Sequence, residues 1–178
     1  MHLHPHPSRG PATEDLDERL LGWLLPREPY PGLNATTLGK WLGKSSVDLA
    51  YLHSFVQFDM RGYHRRVLIS SQAWELVLAT WLPGQRSLIH DHGGSCGASR
   101  VMSGQLREVL YTPVDVGRLE EAATSIAHEG SILLETPTTI HQVTNSSNGP
   151  AISLHLYSPP QPTLRTWLPA DVREHSTH

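Results

Sequence analysis

Residues 63–92 read YHRRVLISSQAWELVLATWLPGQRSLIHDH, and this stretch decides the architecture. Two runs rich in β-branched and aromatic residues, 63–70 and 74–81, are separated by Ser71-Gln72, which predicts a hairpin. Pro83-Gly84 then makes a turn into a third strand over 87–92. Downstream, 97–103, 105–111, 125–128, 131–135, 139–145 and 151–158 repeat the pattern of short strands between turn residues. Short strands spaced this way predict a sandwich or barrel and not a βαβ fold. Upstream, 14–25 has acids in its first turn, apolar residues at helical spacing and Pro26 as a stop. Segments 36–42 and 45–58 read as two further short helices, with Ser45-Ser46 and Asp48 as a start signal. The chain is therefore expected to be mainly β, with a tail over 1–13, a helical cap over 14–62 and a barrel over 63–170, one domain overall.

With 178 residues, 38% hydrophobic and 17% charged, the composition is that of a globular domain. A net charge of −3 argues against nucleic acid as a partner, since a duplex binder carries a basic stripe. No apolar run approaches the roughly 20 residues that span a bilayer, so no membrane partner is expected. The first 18 residues hold no apolar signal core, and the single cysteine, Cys96, fits a reducing compartment. These features predict a cytoplasmic, soluble monomer.

Twelve histidines need sorting. His2, His4 and His6 lie in the tail, and His53, His64, His128, His175 and His178 match no ligand spacing, so a surface place is expected for each. His90-Asp91-His92 is different. Residues two apart on a strand share a face, so both imidazoles point one way and Asp91 the other. A third imidazole from a facing strand, His141 in Thr139-Ile140-His141-Gln142-Val143-Thr144-Asn145, would complete a facial triad with open positions, as a catalytic metal requires. Ser153, His155 and Tyr157 likewise alternate along one strand and share a face. A hydroxyl–imidazole–phenol chain there can hold a proton, although Tyr157 as a core tyrosine and Ser153 as a structural hydrogen-bonder are the plainer readings.

The frame around these residues resembles the cupin family. Gly84, His90, His92 and Gly104 fit its first motif, and Gly130, Pro137, His141 and Asn145 its second, with one residue fewer between proline and histidine. The motif's glutamate falls on Gly97. Within the cupins, that loss resembles the cysteine dioxygenase family, bacterial type. Ser153-Leu154-His155-Leu156-Tyr157-Ser158-Pro159-Pro160 is similar to its S-x-H-x-Y-S-P-P segment, and Tyr63-His64-Arg65 to its Y-x-R.

The resemblance implies a jelly-roll-like cupin barrel, Fe(II) on His90, His92 and His141, and catalysis aided by Tyr157, His155 and Ser153. Substrate would be held by Arg65 and Tyr63, the guanidinium gripping a carboxylate; Arg66 is expected on the opposite face, one of the two arginines solvent-exposed. The partners implied are a small thiol and dioxygen, and the reaction is oxidation of L-cysteine to cysteine sulfinate. Three neutral imidazoles would leave the ion its full charge for a thiolate. The family also implies a cis bond between Ser158 and Pro159. Its animal members place a crosslinking cysteine where Gly97 stands; Cys96 should face away, so no crosslink to Tyr157 is expected. Dioxygenation of 3-mercaptopropionate or another small thiol, and a non-enzymatic metal-binding cupin, are the competing functions; Arg65 favours cysteine.

Overall fold

A computed structural model describes residues 33–45, 47–161 and 163–172. The helix expected over 14–25 lies outside the described residues. In chain order the elements are α1 (Ala35–Lys44), α2 (Leu49–Leu52), a 3-10 turn (His53–Phe55), β1 (His64–Ser70), β2 (Glu75–Trp81), β3 (Ile89–His90), β4 (Cys96–Ser103), β5 (Gln105–Asp115), β6 (Arg118–His128), β7 (Ile132–Glu135), β8 (Ile140–Asn145), β9 (Ala151–Ser158) and β10 (Thr166–Trp167). The strands form two five-stranded antiparallel sheets, ordered β1-β2-β9-β4-β7 and β10-β3-β8-β5-β6. This is the mainly β cupin architecture, a double-stranded β-helix with a helix on the outside.

Period-two alternation divides the first sheet between two environments. Leu76, Leu78, Ala98, Leu154 and Leu156 face outward and pack with Leu38 and Leu42 of α1 in one apolar cluster. Asn34 caps α1 by accepting from the Thr37 amide at 3.0 Å, and buried positions 35, 38, 39 and 42 make one helical stripe. Gly39 lets that stripe sit flat: a Cβ there would lie 2.5 Å from Leu134 Cδ2. Residues of opposite phase, Ala79, Trp81, Val101 and Ala151, meet Leu106 and Val143 of the second sheet inside the barrel. Ser153, His155 and Tyr157 have that inward phase. Among the described residues no helix is long and apolar enough to cross a membrane.

Several expected boundaries move, each for a physical reason. The helix expected over 45–58 shrinks to α2, capped by Asp48, and one 3-10 turn. Beyond it the Gln57 and Asp59 carbonyls accept from Thr80 Oγ1 and Gln85 Nε2, which ties the backbone to the barrel rim and not to a helix. The third strand is two residues long because the Asp91 amide turns to the Arg165 carbonyl at 3.0 Å. β6 begins seven residues before the expected 125, since its exposed positions 121–126 carry no apolar alternation to read. β10 was not expected at all: two residues pairing with β3 leave no periodic signal. The Ser158–Pro159 bond is cis, as expected.

Candidate metal centre

The second sheet assembles the histidines. β3 and β8 pair with His90 directly opposite His141, and β8 in turn pairs with β5. His92 lies just past β3, before the Gly93-Gly94 turn that leads into β4. One ring nitrogen from each of His90, His92 and His141 falls within 4.8 Å of the other two. His92 and His141 are buried and His90 half-buried.

The hydrogen bonds decide which nitrogens are free. His90 Nδ1 donates to the Leu88 carbonyl at 2.8 Å, and His141 Nδ1 to Glu108 Oε1 at 2.7 Å. Each ring therefore keeps its Nε2 lone pair, and the carboxylate behind His141 orients it as a metal ligand is usually oriented. His92 makes no hydrogen bond of regular geometry; the Thr139 backbone acts on its ring and leaves at least one buried nitrogen idle. An idle buried ring nitrogen is costly, and a metal ion there relieves it. The donor set thus fits a divalent ion of the imidazole-binding kind.

The expected hydroxyl–imidazole–phenol chain is assembled, and it extends one residue further than expected. Trp81 Nε1 donates to Ser153 Oγ at 3.0 Å, Ser153 Oγ meets His155 Nε2 at 2.8 Å, and His155 Nδ1 meets the Tyr157 hydroxyl at 3.0 Å. An indole can only donate, so Ser153 accepts from Trp81. The Ser153 and Tyr157 hydroxyls hold the two ring nitrogens of His155 between them, one nitrogen donating and the other accepting. The Tyr157 hydroxyl also meets the Glu135 carboxylate. The Tyr157 ring stacks beside His92, centroids 5.8 Å apart, so the phenol lies next to the histidine cluster.

Arg65 Nη2 donates to Glu75 Oε1 at 2.7 Å and to Gln161 Oε1 at 2.9 Å. Glu75 is the register partner of Tyr157 across β2 and β9, and the positive charge of Arg65 acts on His90, His155 and Tyr157. Arg66 takes the opposite face, as expected, but neither arginine is exposed: its guanidinium lies 5.1 Å over the Phe55 ring. Tyr63 stacks on Trp81, centroids 4.3 Å apart, and so braces the start of the hydrogen-bonded chain. Cys96 pairs with Ser158, and its thiol lies 3.3 Å from both the Leu33 and the Ser158 carbonyl, one of which accepts its proton, on the outer face, whereas Gly97 pairs with Tyr157. The sulfur therefore faces away from Tyr157, as expected. Of the histidines set aside, His53 and His128 are exposed and His64 half-buried; the others lie outside the described residues.

Two acids were missed. Glu108 and Glu135 are buried on strands whose other inward residues, Leu106 and Leu133, are apolar. A charge on the inward phase of a strand was the available signal, because a buried carboxylate needs a specific partner. Glu135 Oε1 accepts from Ser99 Oγ at 3.1 Å, while Oε2 stands 3.5 Å from His92 Nε2. Glu135 thus stands beside the centre, whose converging ligand atoms are those of the three imidazoles, as expected.

Burial dominates the electrostatics. It lowers His90 to about 4, with His141 adding repulsion, His92 to about 2, with His141 and His90 adding, and His155 to about 3, with Arg65 adding. Burial raises Glu135 to about 7, against the pull of His141. Unfolded, these groups titrate near 6.5 for histidine and 4.5 for glutamate. Between pH 4.5 and 6.5 the unfolded chain gains protons on three histidines, while the folded chain keeps one extra on Glu135. The unfolded state then binds more protons, so stability must fall as pH falls through this window. Thermal unfolding in the presence of a chelator is expected to show Tm dropping steadily below pH 6.5; a flat profile would mean that these rings are not held neutral.

A family model described as Cysteine dioxygenase type I matches residues 43–168. Cysteine dioxygenase type 1 of Danio rerio is 32% identical over 119 residues, covering 64% of this chain and 59% of the relative. The Homo sapiens protein of that name is 31% identical over 118 residues, with the same coverage. The chain thus spans less than two thirds of the curated relatives it matches. Among solved structures, an uncharacterized conserved protein with a double-stranded beta-helix domain from Klebsiella pneumoniae matches with a TM-score of 0.57 at 18% identity, over 70% of this chain and 93% of that one. An oxalate decarboxylase from Lactobacillus farciminis matches with a TM-score of 0.52 at 16% identity, over 61% of this chain and 32% of that one. At those identities the structures speak for the fold alone. The family match covers well over half of the chain and includes all three histidines, the Ser153–His155–Tyr157 chain and Arg65. The protein belongs to the cysteine dioxygenase type I family.

Proposed function

We propose that this protein is an iron-dependent thiol dioxygenase that converts L-cysteine and dioxygen to cysteine sulfinate, both oxygen atoms going to sulfur. The observation that carries the proposal is the meeting of three histidine nitrogens with a phenol, itself held by His155, beside them. Iron held by His90, His92 and His141 would supply the activation of dioxygen and a position for the thiolate.

The chain's own residues supply position and protons. Arg65 offers a guanidinium fork to the substrate carboxylate, the geometry that suits two parallel hydrogen bonds. Glu75, bonded to that guanidinium, balances its charge, so a zwitterion matches the pair better than a bare carboxylate does. This favours cysteine over 3-mercaptopropionate. Tyr157, held by its hydrogen bond to His155, presents its hydroxyl to the reacting atoms, and Ser153 and Trp81 fix the orientation of the His155 ring. The buried surroundings of Tyr157 raise its pKa well above the usual value, so it acts as a donor and not as a phenolate.

Oxygen uptake by anaerobically iron-loaded protein, with L-cysteine and 3-mercaptopropionate in parallel, tests the proposal. Uptake with cysteine and a product heavier by two oxygen atoms is the expected outcome. Faster uptake with 3-mercaptopropionate would reassign the substrate, and no uptake with either thiol despite bound iron would point to a non-enzymatic metal-binding cupin. Tyr157→Phe is expected to keep its iron but lose about 10- to 100-fold in turnover, the worth of one hydrogen bond to a charged group. Wild-type turnover in that variant would return Tyr157 to a packing role.

A further inference from the structure

We infer that Gln161 is a specificity-determining residue, whose side-chain Nε2 donates to the substrate carboxylate beside Arg65. This rests on Arg65 receiving that carboxylate, and it holds for any small thiol that carries one.

Gln161 lies just beyond the end of β9 and returns to the charged pair of Arg65 and Glu75. Its backbone amide donates to Glu75 Oε1 at 3.3 Å, and its side-chain Oε1 accepts from Arg65 Nη2 at 2.9 Å. A guanidinium can only donate, so the amide oxygen must face it and the amide nitrogen takes the other arm. That nitrogen is buried and has no hydrogen-bond partner among the described residues. A buried NH2 group with nothing to donate to is costly, and an acceptor brought by a ligand relieves it.

Arg65 Nη2 also donates to Glu75 Oε1, at 2.7 Å. Both hydrogens of Nη2 are thus engaged, and Nε, Nη1 and Gln161 Nε2 are the donors left to a ligand there. Glu75 is the register partner of Tyr157, which sets this cluster beside the hydroxyl–imidazole–phenol chain. The groups of an amino-acid thiol sort themselves by chemistry. An ammonium only donates and cannot satisfy an amide nitrogen, while a thiolate is the group that suits a metal. The carboxylate accepts, carries the charge opposite to Arg65, and has two oxygens to share between guanidinium and amide.

The test is anaerobic binding of L-cysteine, 3-mercaptopropionate and cysteamine to the iron-loaded full chain by calorimetry, with kcat/KM from oxygen uptake alongside. Gln161→Met, unbranched and without the amide, is expected to weaken both carboxylate-bearing thiols about 10-fold or more, the worth of a hydrogen bond to a charged group. Affinity for cysteamine, which has no carboxylate, should not change, nor should iron content. Unchanged affinity for all three thiols, or an equal loss for all three, overturns the inference. The same substitution in an Arg65→Ala background separates direct contact from support of the guanidinium. A donor to the substrate still costs affinity when Arg65 is gone; a prop for Arg65 costs nothing there, and that result overturns the inference. Should Gln161→Met fail to fold, Gln161→Glu keeps an acceptor for Arg65 and removes the donor. Carboxylate-bearing thiols should again bind more weakly, and wild-type affinity overturns the inference equally. A wild-type chain that holds iron but binds neither of those thiols removes the reading of Arg65 together with this inference. Wild-type binding that persists in Gln161→Met removes this inference alone.

Discussion

His141→Ala is expected to strip the protein of iron and abolish thiol-dependent oxygen uptake together. His141 is where the second sheet concentrates its contribution, paired with His90 across β3 and with Leu110 across β5. Two remaining imidazoles cannot hold a labile divalent ion against dilution. The substitution also leaves Glu108, 8% exposed in its side chain, without the nitrogen it accepts from at 2.7 Å. Removing one partner of a buried pair strands the other, so metal loss and some loss of stability should appear together. Glu108→Gln separates the two effects. It keeps a hydrogen-bond acceptor for Nδ1 while discharging it, and should lower iron affinity by about 10- to 100-fold without emptying the site. Iron content and an oxygen electrode on both variants check this. Full iron with full turnover in His141→Ala would remove the histidine triad from consideration.

The legible part of this molecule was the part written in periodicity. His90 and His92, and Ser153, His155 and Tyr157, could be assigned to common faces because a strand side chain reverses at every residue. Their partners on the same strand therefore follow from spacing alone, and so did the outward turn of Cys96. Glu108, Glu135, Trp81 and Glu75 were not legible in that way. Each meets the site from another strand, and sheet order and register are properties of long-range pairing that no local window contains. Yet three of them left a trace, since an acid on the inward phase of an apolar strand is a costly choice without a partner. The β5–β6 hairpin was under-read for the opposite reason: positions 121–126 of its second strand are all exposed, so no hydrophobic alternation marks them.

Arg65→Ala should show how substrate recognition and stability share one pair of charges. Arg65 is 27% exposed in its side chain and Glu75 8%, joined at 2.7 Å. Loss of the fork removes two directed bonds to a substrate carboxylate, and kcat/KM for cysteine is expected to fall on the order of 100-fold, with iron content unchanged. Arg65→Lys should recover little, because an ammonium cannot reproduce the planar fork. Stability should drop as well, since Glu75 keeps only the distant Gln161 amide at 3.3 Å. The partial exposure of Arg65 keeps that loss near 2 kcal/mol, below the range for fully buried pairs. The double variant Arg65→Ala with Glu75→Gln distinguishes the roles. Neutralising Glu75 relieves the stranded charge, so Tm should return toward wild type, while kcat/KM should stay low because no cation faces the carboxylate. If activity returned with stability, the arginine would be a structural brace for β1 and β2, and the carboxylate would have to be bound by another group. If neither returned, the cost would lie in lost packing of the arginine stem against its neighbours and not in the charge left behind.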